Sequence, residues 1–258
     1  MGGPTRQSLR GAAILAFANG LSLGATMPAR AADANLETRM GDGPTYDTAI
    51  FWGAEASFGR SNRMIYGVNA GFVTAINGDL GTSGWTISGN VGGSRSKAPL
   101  SRTNSLHAAL LAGYQWQMPG MYFSVAGGPH YVSNHDTPRG GPTDGDEFGA
   151  MVQYSFETTG SNSLYFQSYG SYSTVFDRKY FQAKAGYKAE AVKFGPEFSV
   201  FDEKASRPTL RYGGFVSGIQ LTDTLSMTAS AGYQQDLDRQ DPDGFYAQIG
   251  FSLPLDLR

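Results

Sequence analysis

Residues 180–201 read YFQAKAGYKAEAVKFGPEFSVF, and the direction in which their lysines point decides the fold. Phe181, Ala183, Ala185 and Tyr187 alternate with Gln182, Lys184, Gly186 and Lys188. A period of two belongs to an extended strand with unlike faces. The alternation breaks at Ala189 and Glu190 and resumes with the other parity, Val192, Phe194, Phe198 and Val200 against Lys193, Glu197 and Ser199. Two strands joined by a tight turn are expected. The polar face meets water if this is a soluble sandwich, whereas in a membrane barrel the apolar face meets lipid and the lysines point inward.

The rest of the chain decides between these arrangements. Alternating runs of about 9 to 13 residues recur from Thr48 to the end, twelve in all, with aromatic residues mostly at the run ends. In TAIFWGAEASF, Ile50, Trp52, Ala54, Ala56 and Phe58 oppose Glu55 and Ser57. In LYFQSYGSYSTVF, Leu164, Phe166, Tyr172 and Phe176 oppose Gln167, Tyr169 and Ser171; in RYGGFVSGIQL, Phe215, Ile219 and Leu221 oppose Gly214 and Gly218. Every run has the same character: one face of Trp, Tyr, Phe, Val, Leu and Ala, the other of Gly, Ser, Thr, Asn, Gln and scattered charge. A sandwich needs a charged outer face and a large apolar core, and neither is legible. The connections also sort by parity, MPG, TTGSN, AE and TDT on one side, and SRSKAPLSR, SNHDTPRGGPTDGD, DEKASRP and DLDRQDPDG on the other, with INGDLGTSG a long exception on the short side. Short periplasmic turns and longer external loops are the bacterial barrel pattern. The chain is therefore expected to be all-β, a single antiparallel transmembrane β-barrel of about twelve strands over residues 48–258, with both termini on the periplasmic side. Many such barrels end on an aromatic residue; here SLPLDLR follows Phe251, so Phe251 and Leu253 are expected to serve instead.

Composition fits. Charged residues are 16% of the chain, below the roughly 25% of soluble domains. Arg6 and Arg10 precede the apolar run GAAILAFANGLSLGA, and Ala29 and Ala31 supply small residues at the cleavage positions. Residues 1–31 read as a secretory signal peptide and 32–47 as a flexible lead-in. Cleavage would leave 17 basic and 22 acidic residues, no basic excess and so no footprint for nucleic acid. No later run is long and apolar enough for a membrane-spanning helix. The destination read from these features is the outer membrane of a Gram-negative bacterium, with its lipid as a partner.

The chemistry is sparse. There is no cysteine, and the three histidines are His107, His130 and His135. Neither HExxH nor a phosphate-binding glycine loop is present, and the acidic stretches TDGDE and DRQDPDG lack calcium-loop spacing. No catalytic residue, metal site or cofactor is expected. An outer-membrane lipid hydrolase would need a serine and a histidine on the lipid face; His107 shares a strand face with Ser105 and His130 lies near Ser133, without an obvious carboxylate or amide at strand spacing to orient either ring. The inward face offers more: Glu55, Asn69, Gln115, Glu147, Gln153, Gln167, Tyr169, Lys184, Lys193, Glu197, Arg211 and Gln248. Amides, mixed charges and a few rings suit contact with a neutral hydroxyl-rich glycan or small solute, or the residues satisfy one another in a filled barrel. Lys184, Lys193 and Arg211 should be neighbours there, offset by Glu197 and by Glu55 or Glu147.

Several runs resemble the cellulose biosynthesis protein BcsS family: FWGAEASF, INGDLGTSGWTISGNVGG, LLAGYQW, YGSYSTVFDRKYFQAKAGY and FGPEF, spanning about Phe51 to Phe198. The passage from NGD to GW and the stretch YSTVFD carry most of the likeness. The resemblance implies a non-catalytic outer-membrane accessory of bacterial cellulose (exopolysaccharide) biosynthesis or export, with a glucan chain or other cellulose-secretion components as partners. It supplies no catalytic residues. The alternatives from the residues themselves are an oligosaccharide or small-solute porin and, after it, a lipid hydrolase.

Overall fold

The computed structural model describes residues 46–59, 63–160, 162–204, 208–236 and 244–257. The expected signal peptide, and the lead-in up to residue 45, lie outside the described residues. Twelve strands follow in order: β1 (Thr48–Gly59), β2 (Met64–Ala75), β3 (Gly84–Ala98), β4 (Ser101–Met118), β5 (Met121–Thr137), β6 (Gly145–Thr158), β7 (Ser163–Ser173), β8 (Arg178–Ala189), β9 (Val192–Asp202), β10 (Thr209–Gln220), β11 (Ser226–Asp236) and β12 (Gly244–Leu255). Each pairs with its neighbours in sequence, and β1 pairs with β12 from Thr48↔Leu255 to Gly59↔Gly244, so the sheet closes into a barrel. All these ladders are antiparallel. Closure leaves no sheet edge, which is what lets strands sit in hydrocarbon. Among the described residues no helix is long and apolar enough to cross a membrane; one 3-10 turn, Val175–Asp177, follows β7.

The opening stretch forms β8 and β9, and Lys184, Lys188 and Lys193 are all buried while Phe181, Tyr187, Phe194 and Phe198 are exposed. The lysines point inward. Around the ring the outward positions are apolar, with Val68, Val91, Leu110 and Val152 at mid-height. Aromatic rings border this belt. Near the end that holds the termini, Trp85, Tyr114, Trp116 and Phe123 run edge to edge at 4.8 to 5.4 Å. At the other end Tyr212, Tyr233 and Phe245 lie 5.4 to 5.7 Å apart, and Phe58 meets Tyr66. Such paired girdles mark the two interfaces of a transmembrane barrel.

Three expectations need correction. Several strands are longer than the expected 9 to 13 residues: β3 has 15, β4 18, β5 17 and β6 14. SRSKAPLSR is accordingly not a loop; it is the end of a hairpin whose turn is residues 99–100, and the sheet continues past the outer girdle. Phe215 is not on the lipid face. It shares the parity of Arg211 and is 5% exposed inside the barrel. The register shift between Val216 and Ile219, with Gly218 at φ 73°, flips the parity only beyond it. Phe176 leaves the β7 alternation altogether and is buried in the 3-10 turn.

Candidate functional site

The lumen is where the sequence put its candidate residues, and strand parity sets all twelve on the inner face. Five of them join one network. Arg211 donates from Nη2 to Glu55 Oε1 at 3.0 Å and to Ser57 Oγ at 3.2 Å, and from Nε to Gln234 Oε1 at 2.9 Å. Gln248 donates to the other Glu55 oxygen at 2.7 Å, and its own oxygen accepts from Ser230. The guanidinium lies 5.2 Å from the ring centroid of Tyr246, whose hydroxyl donates to Glu197 at 2.7 Å. Lys184 stands opposite Glu197 across the β8–β9 ladder, with its ammonium 5.0 Å from the Phe215 ring.

Lys193 behaves differently from expectation. Its partner is Glu157 of β6, at 2.5 Å, with the Tyr165 ring 5.1 Å away, and both charged side chains are about 98–99% buried. Two strands, β7 and β8, lie between the two residues, so no local pattern joins them. A charge in such a place survives only when paired and hydrogen-bonded. Gln167, opposite Lys184 on β7, is buried. Gln153 accepts from the Tyr169 hydroxyl at 3.1 Å. Asn69 is half-buried beside Gly92, a glycine whose missing side chain leaves the space filled by the His107 ring.

The remaining two residues each fasten an inward-folded segment at one end of the barrel. Gln115, 1% exposed, donates to the carbonyls of Leu80 at 2.8 Å and Thr82 at 2.6 Å. Both belong to the β2–β3 loop, residues 76–83, which folds into the terminus-side mouth and buries Leu80 completely against Ala49, Ala75 and Val73. The loop was legible as an exception in length, and its inward docking was not. At the opposite mouth Glu147 accepts from the backbone N–H of Phe176 at 3.1 Å. Val175 and Phe176 thereby turn inward onto Val132, and a side chain at Gly149 would collide with Thr174 and Val175. Phe176 and Asp177 adopt φ 52° and 49°, a conformation costly for such residues and held here by tertiary contacts. Arg178 and Glu203, an ion pair at 3.1 Å, lie beside this turn.

Between the mouths a third layer crosses the lumen. Ile65 of β2 packs with Tyr169, Tyr180 and Phe201 of β7, β8 and β9. β2 and β8 are six strands apart either way round the ring, so these side chains meet from opposite walls. Tyr165, Tyr180, Phe201, Tyr246 and Glu157 are lumen residues that sequence reading did not put among its candidates. Parity was the available signal: Glu157 and Tyr246 were legible on the polar face, whereas Tyr165, Tyr180 and Phe201 had only parity to mark them.

Two of the three histidines also face inside. His107 and His130 are both buried in the barrel, and His130 Nδ1 lies 2.7 Å from Ser173 Oγ. Neither pair considered for lipid hydrolysis lies on the lipid face. His135 is exposed, 3.3 Å from Ser133 Oγ, beyond the apolar belt. No group of three or more metal-ligating side chains occurs among the described residues.

The family model for cellulose biosynthesis protein BcsS matches residues 59–255. The chain belongs to the BcsS family. Among curated proteins none matches. The fold is similar to that of the β domain of the Bordetella autotransporter BrkA, 13% identical over 82% of this chain and 100% of that one, with a TM-score of 0.50. It is also similar to the KdgM porin, 10% identical over 80% and 99% with a TM-score of 0.46, and to LpxR from Salmonella typhimurium, 9% identical over 80% and 100% with a TM-score of 0.48. At these identities the likeness concerns the outer-membrane barrel architecture alone. The stretches that carry the BcsS resemblance are those that fill the lumen. INGDLGTSG folds inward at the end that holds the termini, YSTVFD at the opposite end, YFQAKAGY and FGPEF form the wall between, and FWGAEASF brings Glu55 to Arg211.

Proposed function

We propose that this BcsS-family barrel sits in the outer membrane of a Gram-negative bacterium as a closed, non-catalytic accessory of cellulose biosynthesis, an anchor or scaffold and not a conduit for the glucan. The observation that carries this reading is the obstruction of the lumen at three levels: the β2–β3 loop, the layer of Ile65, Tyr169, Tyr180 and Phe201, and the turn at Val175 and Phe176. A conducting barrel of this size needs a wet path, and here Glu55, Arg211, Gln248, Lys193 and Glu157 bond to one another or to neighbouring side chains. The twelve inner-face residues then act as filling and fastening, and glycan or other secretion components meet the outer turns. Against hydrolysis stands the inward orientation of His107 and His130.

The test is genetic. Removing the gene from a cellulose-producing strain should lower the cellulose retained at the cell surface, and the intact gene should restore it. Unchanged cellulose would contradict the reading. Slower growth on an oligosaccharide in the same strain would favour the porin, and phospholipid or lipid A hydrolysis abolished by His135→Ala would favour the hydrolase.

A further inference from the structure

The hairpin of β3 and β4 carries its charge on the outside. Along β3 the outward side chains run Trp85, Ile87, Gly89, Val91, Gly93, then Arg95 and Lys97; along β4 they run Arg102, Asn104, then Leu106 and on through Leu110 to Trp116. Cations thus begin on the row where the apolar belt stops, beside Tyr66, which pairs with Arg95 across the β2–β3 ladder. Lys97 and Arg102 are directly opposite each other in register, so two like-charged side chains leave one face from Cβ atoms about 5 Å apart. Such a pair is unfavourable unless an anion lies between. Arg95 follows two residues back on the same face, about 7 Å along the strand. All three are exposed, and none has an ion pair or hydrogen bond among the described residues.

The opposite wall shows the alternative. Lys179, the outward cation at the matching end of β8, lies 3.0 Å from Asp177 and 3.7 Å from Asp202. There the protein neutralises its own charge. On β3 and β4 it does not, and the neighbouring outward positions at that height are Met64, Asn104, His135 and Thr137, none of them acidic.

We propose that Arg95, Lys97 and Arg102 form a binding site for the phosphate groups of the phosphorylated glycolipid in the outer leaflet. This rests on the outer-membrane reading above, with the termini in the periplasm. The lipid chains would lie along the apolar outward face of β3 and β4, where Val91, Leu106 and Leu110 are about half exposed. The phosphates would then stand level with the two arginines and the lysine. Arginine's planar fork suits bidentate phosphate contact, and its stem can lie on the apolar surface below. Three cations spaced this way match an anion with more than one phosphate oxygen to offer.

The experiment has two arms. In the first, full-length protein refolded in neutral detergent is titrated with purified lipopolysaccharide, with the same lipid after enzymatic removal of its phosphates, and with phosphatidylglycerol. The intact lipid should bind at least tenfold more tightly than the dephosphorylated one. The triple variant Arg95→Gln, Lys97→Gln, Arg102→Gln should lose at least tenfold, while Lys179→Gln leaves binding unchanged. Heat-modifiable gel mobility should show the triple variant folded as well as the parent. Equal binding by the triple variant, or of the dephosphorylated lipid, would overturn the site. Phosphatidylglycerol binding as tightly as lipopolysaccharide would replace the outer-leaflet lipid with any anionic headgroup and overturn the assignment. In the second arm, a membrane-impermeant maleimide is applied to intact cells carrying Leu100→Cys at the hairpin tip. Labelling is expected. Failure here, with binding intact in the first arm, would locate the fault in the membrane orientation and not in the phosphate site.

Discussion

Cations inside the barrel and those on the outward face of the β3–β4 hairpin are treated in opposite ways. Within the lumen Lys193 has Glu157 and a tyrosine ring, and Arg211 has a carboxylate, an amide, a hydroxyl and another ring. On the outer hairpin Arg95, Lys97 and Arg102 have no such partner among the described residues. The difference follows from what surrounds each. A charge removed from water must find its counter-charge within the protein or be lost to desolvation. One at the membrane surface can leave that task to the environment. Unpaired charge is therefore informative only where the surroundings can complete it.

The comparison breaks most sharply at Lys193. Lys193→Glu would set two carboxylates against each other in a dry site, and the folded barrel should lose about 3–5 kcal/mol, read as a lowered midpoint in urea. Exchanging the pair, Lys193→Glu with Glu157→Lys, should recover part of that loss; no recovery would mean that the contact seen here does not set the stability. Next comes the neighbour of an inward lysine. Ala185 is exposed on the lipid side of β8, and Ala185→Arg should cost about 2–4 kcal/mol and reduce assembly in membranes. If that variant assembles normally while Lys184→Leu improves folding, the barrel is inside out.

Packing gives a smaller effect. A Cβ at Gly71 would come within 2.5 Å of the buried Phe51 ring and of the Gly89 carbonyl. Gly71→Ala should destabilise by about 1–3 kcal/mol, and the double variant with Phe51→Leu should be less affected than the sum. The smallest expected change concerns pH. Burial raises the Glu203 carboxyl to about 7, against the pull of the Arg178 guanidinium beside it. Because the folded-state value lies above the unfolded one, near 4.3, the carboxyl's contribution is whole below that pH and declines as pH rises through about 7. Amide protection factors near Phe176 and Lys204, whose backbones bond at 2.7 Å, taken after correction for the intrinsic pH dependence of exchange, should be larger at pH 5 than at pH 8, and Glu203→Gln should flatten the difference. Equal protection at both values would count against the buried state of this carboxyl.

Most of the fold could be read from the period of two, because each strand has one lipid face and the alternation repeats twelve times. The parity change at Ala189 and Glu190 gave the β8–β9 turn in the right place. What escaped was long-range. Glu157 and Lys193 are 36 residues apart and meet across the lumen, so neither could be paired by spacing. Tyr180 had inward parity but no polar signature, Tyr246 lay on the polar face with no partner that spacing could name, and the bulge at Gly218 concealed the inward turn of Phe215. Gln115 was placed among solute contacts on its polarity alone; its two bonds to the β2–β3 loop became visible only with the loop folded inward.

The central claim is that the lumen is filled, and conductance across a planar lipid bilayer tests it most directly. The reconstituted protein should carry no steady current, whereas a variant that clears all three levels, Tyr169→Ala, Tyr180→Ala and Phe201→Ala with deletion of residues 77–82 and with Val175→Gly and Phe176→Gly, should open measurable channels. Stable channels in the unaltered protein, with ion selectivity that shifts on Lys184→Gln, would contradict it.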